Sequence, residues 1–163
     1  VGFAAGATGI LTFTYGFLEN VGFPHLSPIW VLPTLIALWG LAFKPETDDI
    51  REAPAIEMIR SLTAAGAKVR AYDPQAMTNT ATLFSDNDTV ELVTDPYAAI
   101  RGADALLIAT EWQEFNTVSL GKIKELLARP VVFDGRNIFS PTDMQSAGFH
   151  YESIGRPAIT SAL

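Results

Sequence analysis

The 163-residue sequence contains no cysteine. Disulfides, thiolate zinc sites, iron–sulfur clusters and thiol nucleophiles are therefore excluded from these residues, which fits a reducing, cytoplasmic setting. Positive charge is scarce as well: 11 Lys and Arg against 18 Asp and Glu leave a net charge of −7. Nucleic-acid modules need clustered cations to replace counterions, so no nucleic acid is expected as a partner. The 2 histidines, His25 and His150, lie far apart with no nucleophile beside them, and both read as structural. With no Cys or His among them, Asp48, Asp49 and Glu52 make a poor ligand set, and no metal is expected. No P-loop, zinc motif or G-x-S-x-G elbow occurs.

Charge of either sign is missing from the beginning of the chain, where Glu19 is the one charged residue before Lys44. The uncharged segment 1–18 is long enough to raise a membrane span. It is diluted by Gly2, Gly6, Gly9 and Gly16 with Thr8, Thr12 and Thr14, and no Lys or Arg flanks it to set an orientation. A basic signal-peptide start is also lacking. Residues 1–33 are thus expected to be a hydrophobic leader with a Pro-containing linker (Pro24, Pro28, Pro33), and a membrane partner is not expected.

From Thr34 onward strands alternate with helices. Residues 35–40 (LIALWG) form a short apolar run, as expected of a strand buried on both faces. Pro54 stands at a first helical position, Ile56, Ile59 and Leu62 recur at helical spacing, and Gly66 is a stop. Residues 68–72 (KVRAY) alternate and run into the turn Asp73-Pro74, and 89–93 read as a weaker strand. Asp95-Pro96 caps a short helix before Gly102, and 104–109 (DALLIA) form another buried strand. The spacing predicts a helix over 118–128, a strand over 131–133, a capped helix from Ser140, and a last strand over 149–154. A short helix is placed near 76–84. The fold class is α/β: a doubly wound, mostly parallel sheet of about six strands with helices on both faces, in the order 3-2-1-4-5-6. Ligands bind such sheets where the first and fourth strands part at their carboxyl ends.

The residues just past those ends are therefore the candidates: Phe43 and Lys44 after the first strand, Thr110, Glu111 and Trp112 after the fourth, and Asp134, Gly135 and Arg136 after the fifth. Lys44 and Arg51 place two cations on one loop, suited to an anionic ligand such as a diphosphate, with Asp48 and Asp49 able to hold them or to cap the next helix. The alternative is a solvated charged loop. Gly135 lets the chain turn closely and Arg136 could fork onto phosphate or sugar oxygens; the alternative is a linking turn with an exposed arginine. Trp112 could stack on a sugar or base, or pack. Gly40 is followed by Leu, Ala and Phe, so a G-x-G-x-x-G cradle for a dinucleotide is absent.

Four ordered strings, GLAFKPETDDIREAPA (40–55), AYDP (71–74), GADALLIATEWQEF (102–115) and VVFDGRNIF (131–139), resemble the C-terminal, UDP-binding domain of the UDP-glucose 6-dehydrogenases, within the UDP-glucose/GDP-mannose dehydrogenase family. The resemblance spans about residues 35–157 and implies a Rossmann-like domain, 34–157, with 158–163 as a tail. It implies UDP-glucose as substrate, oxidised to UDP-glucuronate with two NAD through a cysteine. It also implies substrate contacts at Phe43, Lys44 and Arg136, a less defined lining role for Glu111 and Trp112, and contact of Arg51 with NAD held on another domain. Residues 1–33 have no counterpart, and the NAD domain and nucleophilic cysteine are not in this sequence. The chain alone is thus expected to bind rather than turn over, with the missing parts on another segment or subunit of a family-type oligomer. A ligand-free scaffold, or a sibling sugar-nucleotide dehydrogenase, is the alternative.

Overall fold

The computed structural model describes residues 35–160. The leader, the linker and His25 lie outside them, as do residues 161–163.

Six strands form one sheet: β1 (Leu35–Trp39), β2 (Lys68–Tyr72), β3 (Val90–Leu92), β4 (Ala105–Ile108), β5 (Val131–Asp134) and β6 (His150–Ser153). Their order is β3-β2-β1-β4-β5-β6, and every pairing is parallel. The doubly wound order expected from the alternation of elements is the one observed. β4 and β5 are buried at every position and β1 at all but its first residue. Helices cover both faces of such strands, which explains their continuous apolar runs. β2, nearer the edge, alternates, burying Val69 and Ala71.

Five helices connect the strands: α1 (Pro54–Ala64), α2 (Met77–Leu83), α3 (Pro96–Ile100), α4 (Leu120–Leu126) and α5 (Pro141–Ser146), with a 3₁₀ turn at Gln113–Thr117. Right-handed crossovers put α1 and α2 on one face and α3, α4 and α5 on the other. α1 begins on Pro54, turns Ile56, Ile59 and Leu62 into the core, and ends at Gly66 with a positive φ of 91°. Asp95 and Ser140 cap α3 and α5, accepting from the Ala98 and Asp143 amides.

The predicted helix over 118–128 is shorter, only Leu120–Leu126. Val118 is extended and Ser119 takes the N-cap, so the helix starts late. It stops early because Leu126 carbonyl accepts from Gly102 and the Ala128 amide donates to Ala103, tying the chain to the entrance of β4. The outer edge of β6 is partly closed by residues beyond 157: Tyr151 and Ile159 exchange both backbone hydrogen bonds, each 2.9 Å. Among the described residues, no helix is long and apolar enough to cross a membrane.

Candidate functional site

The carboxyl ends of β1, β2 and β4 are stitched together by one buried carboxylate. Asp73, 1% exposed, follows β2. Its Oδ2 accepts from the amides of Leu41 (2.7 Å) and Ala42 (3.0 Å), which follow β1, and from the indole N–H of Trp112 (3.0 Å), which follows β4. Its Oδ1 accepts from the Gln75 and Ala76 amides, both at 2.8 Å, and so sets the turn into α2. A second stitch joins β4 to the same loop: the Thr110 hydroxyl donates to Ala42 carbonyl at 2.6 Å. The backbone can cross here only at a glycine. Gly40 has φ of 89°, and a Cβ on it would sit 2.5 Å from Thr110 Cβ and 2.6 Å from Thr110 N.

Beyond these stitches the chain emerges into solvent. Phe43 is 41% exposed. Lys44 is exposed and makes no hydrogen bond or ion pair with a described residue. The loop is closed by the Phe43 amide donating to Asp49 carbonyl (2.8 Å) and braced from α2 by Asn79, which donates to Asp48 carbonyl (2.9 Å). It holds two non-glycine residues at positive φ, Glu46 (62°) and Glu52 (56°), a sign of a conformation imposed by its surroundings. Asp49 does not cap α1, whose N-cap Ala53 has no side-chain partner. It instead grips Arg51, accepting at Oδ1 from Nε (2.9 Å) and at Oδ2 from Nη2 (2.7 Å). That guanidinium holds the Asp49 carboxyl down to about 2.

At the end of β5, Asp134 is fully buried and accepts from the Arg136 amide (3.0 Å), the Phe139 amide (3.0 Å) and the Tyr151 hydroxyl (2.9 Å). Gly135 donates to Ile108 carbonyl at 3.0 Å, and a Cβ there would approach that oxygen to 2.9 Å. Arg136 then meets Glu111 from the neighbouring strand end: Nη2 donates to Oε1 at 2.6 Å and Nε to Oε2. The guanidinium holds the Glu111 carboxyl below its usual range.

Of the residues singled out from sequence, Phe43, Lys44, Glu111 and Arg136 lie at the ends of the adjacent strands β1, β4 and β5. Arg51 sits farther along the loop, its side chain 87% exposed. Trp112 is 4% exposed and its N–H is committed to Asp73, so it braces the β1 loop and has little ring surface to offer a ligand. His150 is buried and pairs with Glu152 at 3.0 Å. Asp73 and Tyr151 were not picked out from sequence, where Asp73-Pro74 marked a turn only; Thr110 and Asp134, candidates by their place past strand ends, are buried and hold the scaffold instead of facing solvent.

Burial pushes the Tyr151 phenol up to about 12, with the Asp134 charge adding to it, and burial raises Tyr72 in the same sense. An unfolded tyrosine ionises near 10. Above that pH the unfolded chain has lost protons that the folded chain retains, so stability is complete below about 10 and falls as pH rises toward 12. Denaturant midpoints measured from pH 9 to 12 should show this decline. Tyr151→Phe should flatten its slope, while lowering stability at all pH values through the lost bond to Asp134.

A parallel sheet in this order, with cations and an aromatic ring at the switch point, defines a Rossmann-like domain whose ligand crevice lies at the carboxyl ends of the strands. The chain belongs to the UDP-glucose/GDP-mannose dehydrogenase family, whose UDP binding domain matches residues 37–141. A UDP-glucose 6-dehydrogenase of Bacillus subtilis (strain 168) is 49% identical over 124 residues, covering 76% of this chain and 26% of that protein. One from Pseudomonas aeruginosa is 44% identical over 125 residues, covering 75% and 28%. Among solved structures, the UDP-D-ManNAc dehydrogenase of Pyrococcus horikoshii superposes with a TM-score of 0.65 at 31% identity over 93% of this chain and 30% of its own. The NDP-N-acetyl-D-galactosaminuronic acid dehydrogenase of Methanosarcina mazei Go1 gives 0.73 at 26% identity over 92% and 29%. The matches to these relatives span under a third of each relative's length.

Proposed function

We propose that this chain binds a UDP-sugar, UDP-glucose in the first instance, as the substrate-holding domain of a UDP-glucose 6-dehydrogenase. The observation that carries this reading is the placement, just past adjacent strand ends, of an exposed Phe43 ring, a Lys44 with no partner among the described residues and the Arg136 guanidinium. Lys44 offers a full positive charge to a diphosphate, Arg136 a fork for paired oxygens, and Phe43 a flat apolar face. Glu111 reaches that crevice through Arg136, and Trp112 supports it from behind through Asp73.

NAD does not fit this domain as its own cofactor in the usual manner. The Leu41 and Ala42 amides, which would cradle a pyrophosphate after the first strand, already donate to Asp73, and Thr110 fills the space at Gly40. The exposure of Arg51 on the outer loop supports its contact with a dinucleotide held elsewhere. With no cysteine in the sequence, a covalent thiol step belongs to another segment or subunit.

Calorimetric titration of the folded chain with UDP-glucose and UDP-glucuronate tests the reading. Saturable binding is expected, and its absence at millimolar ligand would overturn it. Lys44→Ala and Arg136→Ala should each weaken binding by about 1.5–3 kcal/mol, the range for hydrogen bonds to charged groups. A ligand that binds only the folded state must also raise the melting temperature. A folded chain indifferent to both sugars would instead be a ligand-free scaffold.

A further inference from the structure

Arg136 and Arg70 are both paired arginines, but they differ in what remains free. Arg70 donates from Nε to Glu91 and from Nη1 to the Arg101 and Ala98 carbonyls, so it faces protein acceptors on two sides. Among the described residues, Arg136 donates its side chain only from Nε and Nη2, to the two oxygens of Glu111. A guanidinium carries five N–H donors. This pairing takes the side fork and leaves the end fork, one N–H from each of Nη1 and Nη2, with no acceptor among the described residues. Both halves of the pair stand on rigid bases. Glu111 lies between Thr110 and Trp112, each buried and hydrogen-bonded, while Arg136 follows Gly135 and donates its amide to Asp134.

We infer that Glu111 is a positioning residue: it holds the side fork of Arg136 so that the end fork is presented, already ordered, to two oxygens of the sugar nucleotide. This rests on the UDP-sugar reading above. A free arginine side chain has several rotatable bonds, and freezing it on binding lowers affinity. Glu111 orders it beforehand. The opposite action is equally concrete: a carboxylate beside an anionic ligand repels it and competes for the same arginine. The two differ in the sign of one measurement.

That measurement is the affinity of the whole chain for UDP-glucose, by calorimetry, in wild type, Glu111→Ala, Glu111→Gln, Arg136→Ala and the Glu111→Ala/Arg136→Ala double variant. Glu111→Ala should bind about three- to tenfold more weakly, the effect of one long side chain left unordered. Glu111→Gln, which keeps one acceptor oxygen, should recover part of the loss. In the Arg136→Ala background Glu111→Ala should have no further effect, because there is no guanidinium left to orient. The pair is over a third exposed on each side, so melting temperatures should stay close to wild type. Unchanged or tighter binding by Glu111→Ala overturns the inference, as does an equal loss in the Arg136→Ala background. If folded wild type fails to bind UDP-glucose, the functional reading falls and takes this inference with it.

Discussion

Asp73→Ala should cost the fold about 4 kcal/mol or more and leave a substantial unfolded population, since natural domains have only about 5–15 kcal/mol to lose. The carboxylate accepts from four backbone amides and one indole, and the residues supplying four of those donors, Leu41, Ala42, Ala76 and Trp112, are themselves buried. A buried donor stripped of its acceptor costs about 1–3 kcal/mol, reduced where water can enter the vacated space. Asp73→Asn keeps the shape but presents an NH₂ group to one of the two sets of N–H donors. About half the loss, roughly 2 kcal/mol, is expected there. Urea titrations followed by circular dichroism would measure both, with the midpoint falling and the slope unchanged. A midpoint near wild type for Asp73→Ala would show that these donors find water at little cost. The Asn variant has a second use. Its loop from Leu41 to Lys44 has lost part of its anchor, so UDP-glucose binding should weaken even where the protein is fully folded.

Gly40→Ala should cost about 2–4 kcal/mol, from two separable sources. The first is conformational: φ of 89° disfavours any residue with a Cβ, by about 1 kcal/mol or more. The second is steric, because the new methyl would meet Thr110 at 2.5 Å and that residue cannot retreat while its hydroxyl is bound to Ala42. Overpacking of this kind adds about 1–3 kcal/mol. Gly102→Ala separates the two. Gly102 also has a positive φ, 71°, but nothing lies within 4 Å of its added Cβ, so only the conformational part, about 1 kcal/mol, should appear. Equal losses at the two glycines would show that β1 and β4 part easily at the switch point. A larger loss at Gly40 would show that the backbone crossing is held by contact.

Much of the molecule was legible in the sequence because the signals were local. Apolar runs without alternation marked β1, β4 and β5, and Pro54, Asp95-Pro96 and Ser140-Pro141 marked helix starts whose geometry is decided within four residues. The helix expected over 118–128 was too long for the same reason: hydrophobic spacing is local, while its real end is fixed by Gly102 and Ala103, more than twenty residues away. Candidate site residues were legible as charges past the ends of buried strands. Trp112 shows the limit of that rule, since position after a strand does not say whether a ring faces the crevice or the core.

The sequence by itself determined the strand–helix alternation, hence the sheet order, the family, and the cations Lys44, Arg51 and Arg136 at the ends of strands. It also determined, through the absence of cysteine, that a thiol step is not carried by these residues. Only the tertiary structure decided which of those cations are free. Arg136 is engaged by Glu111 from 25 residues away and Lys44 by no described residue, while Asp73 binds partners that lie 31 to 39 residues from it on either side. The physical reason is that hydrogen bonds are short and directional. Which groups come within 3 Å at the ends of three parallel strands depends on the register of the sheet, and no window of sequence contains all three strands at once.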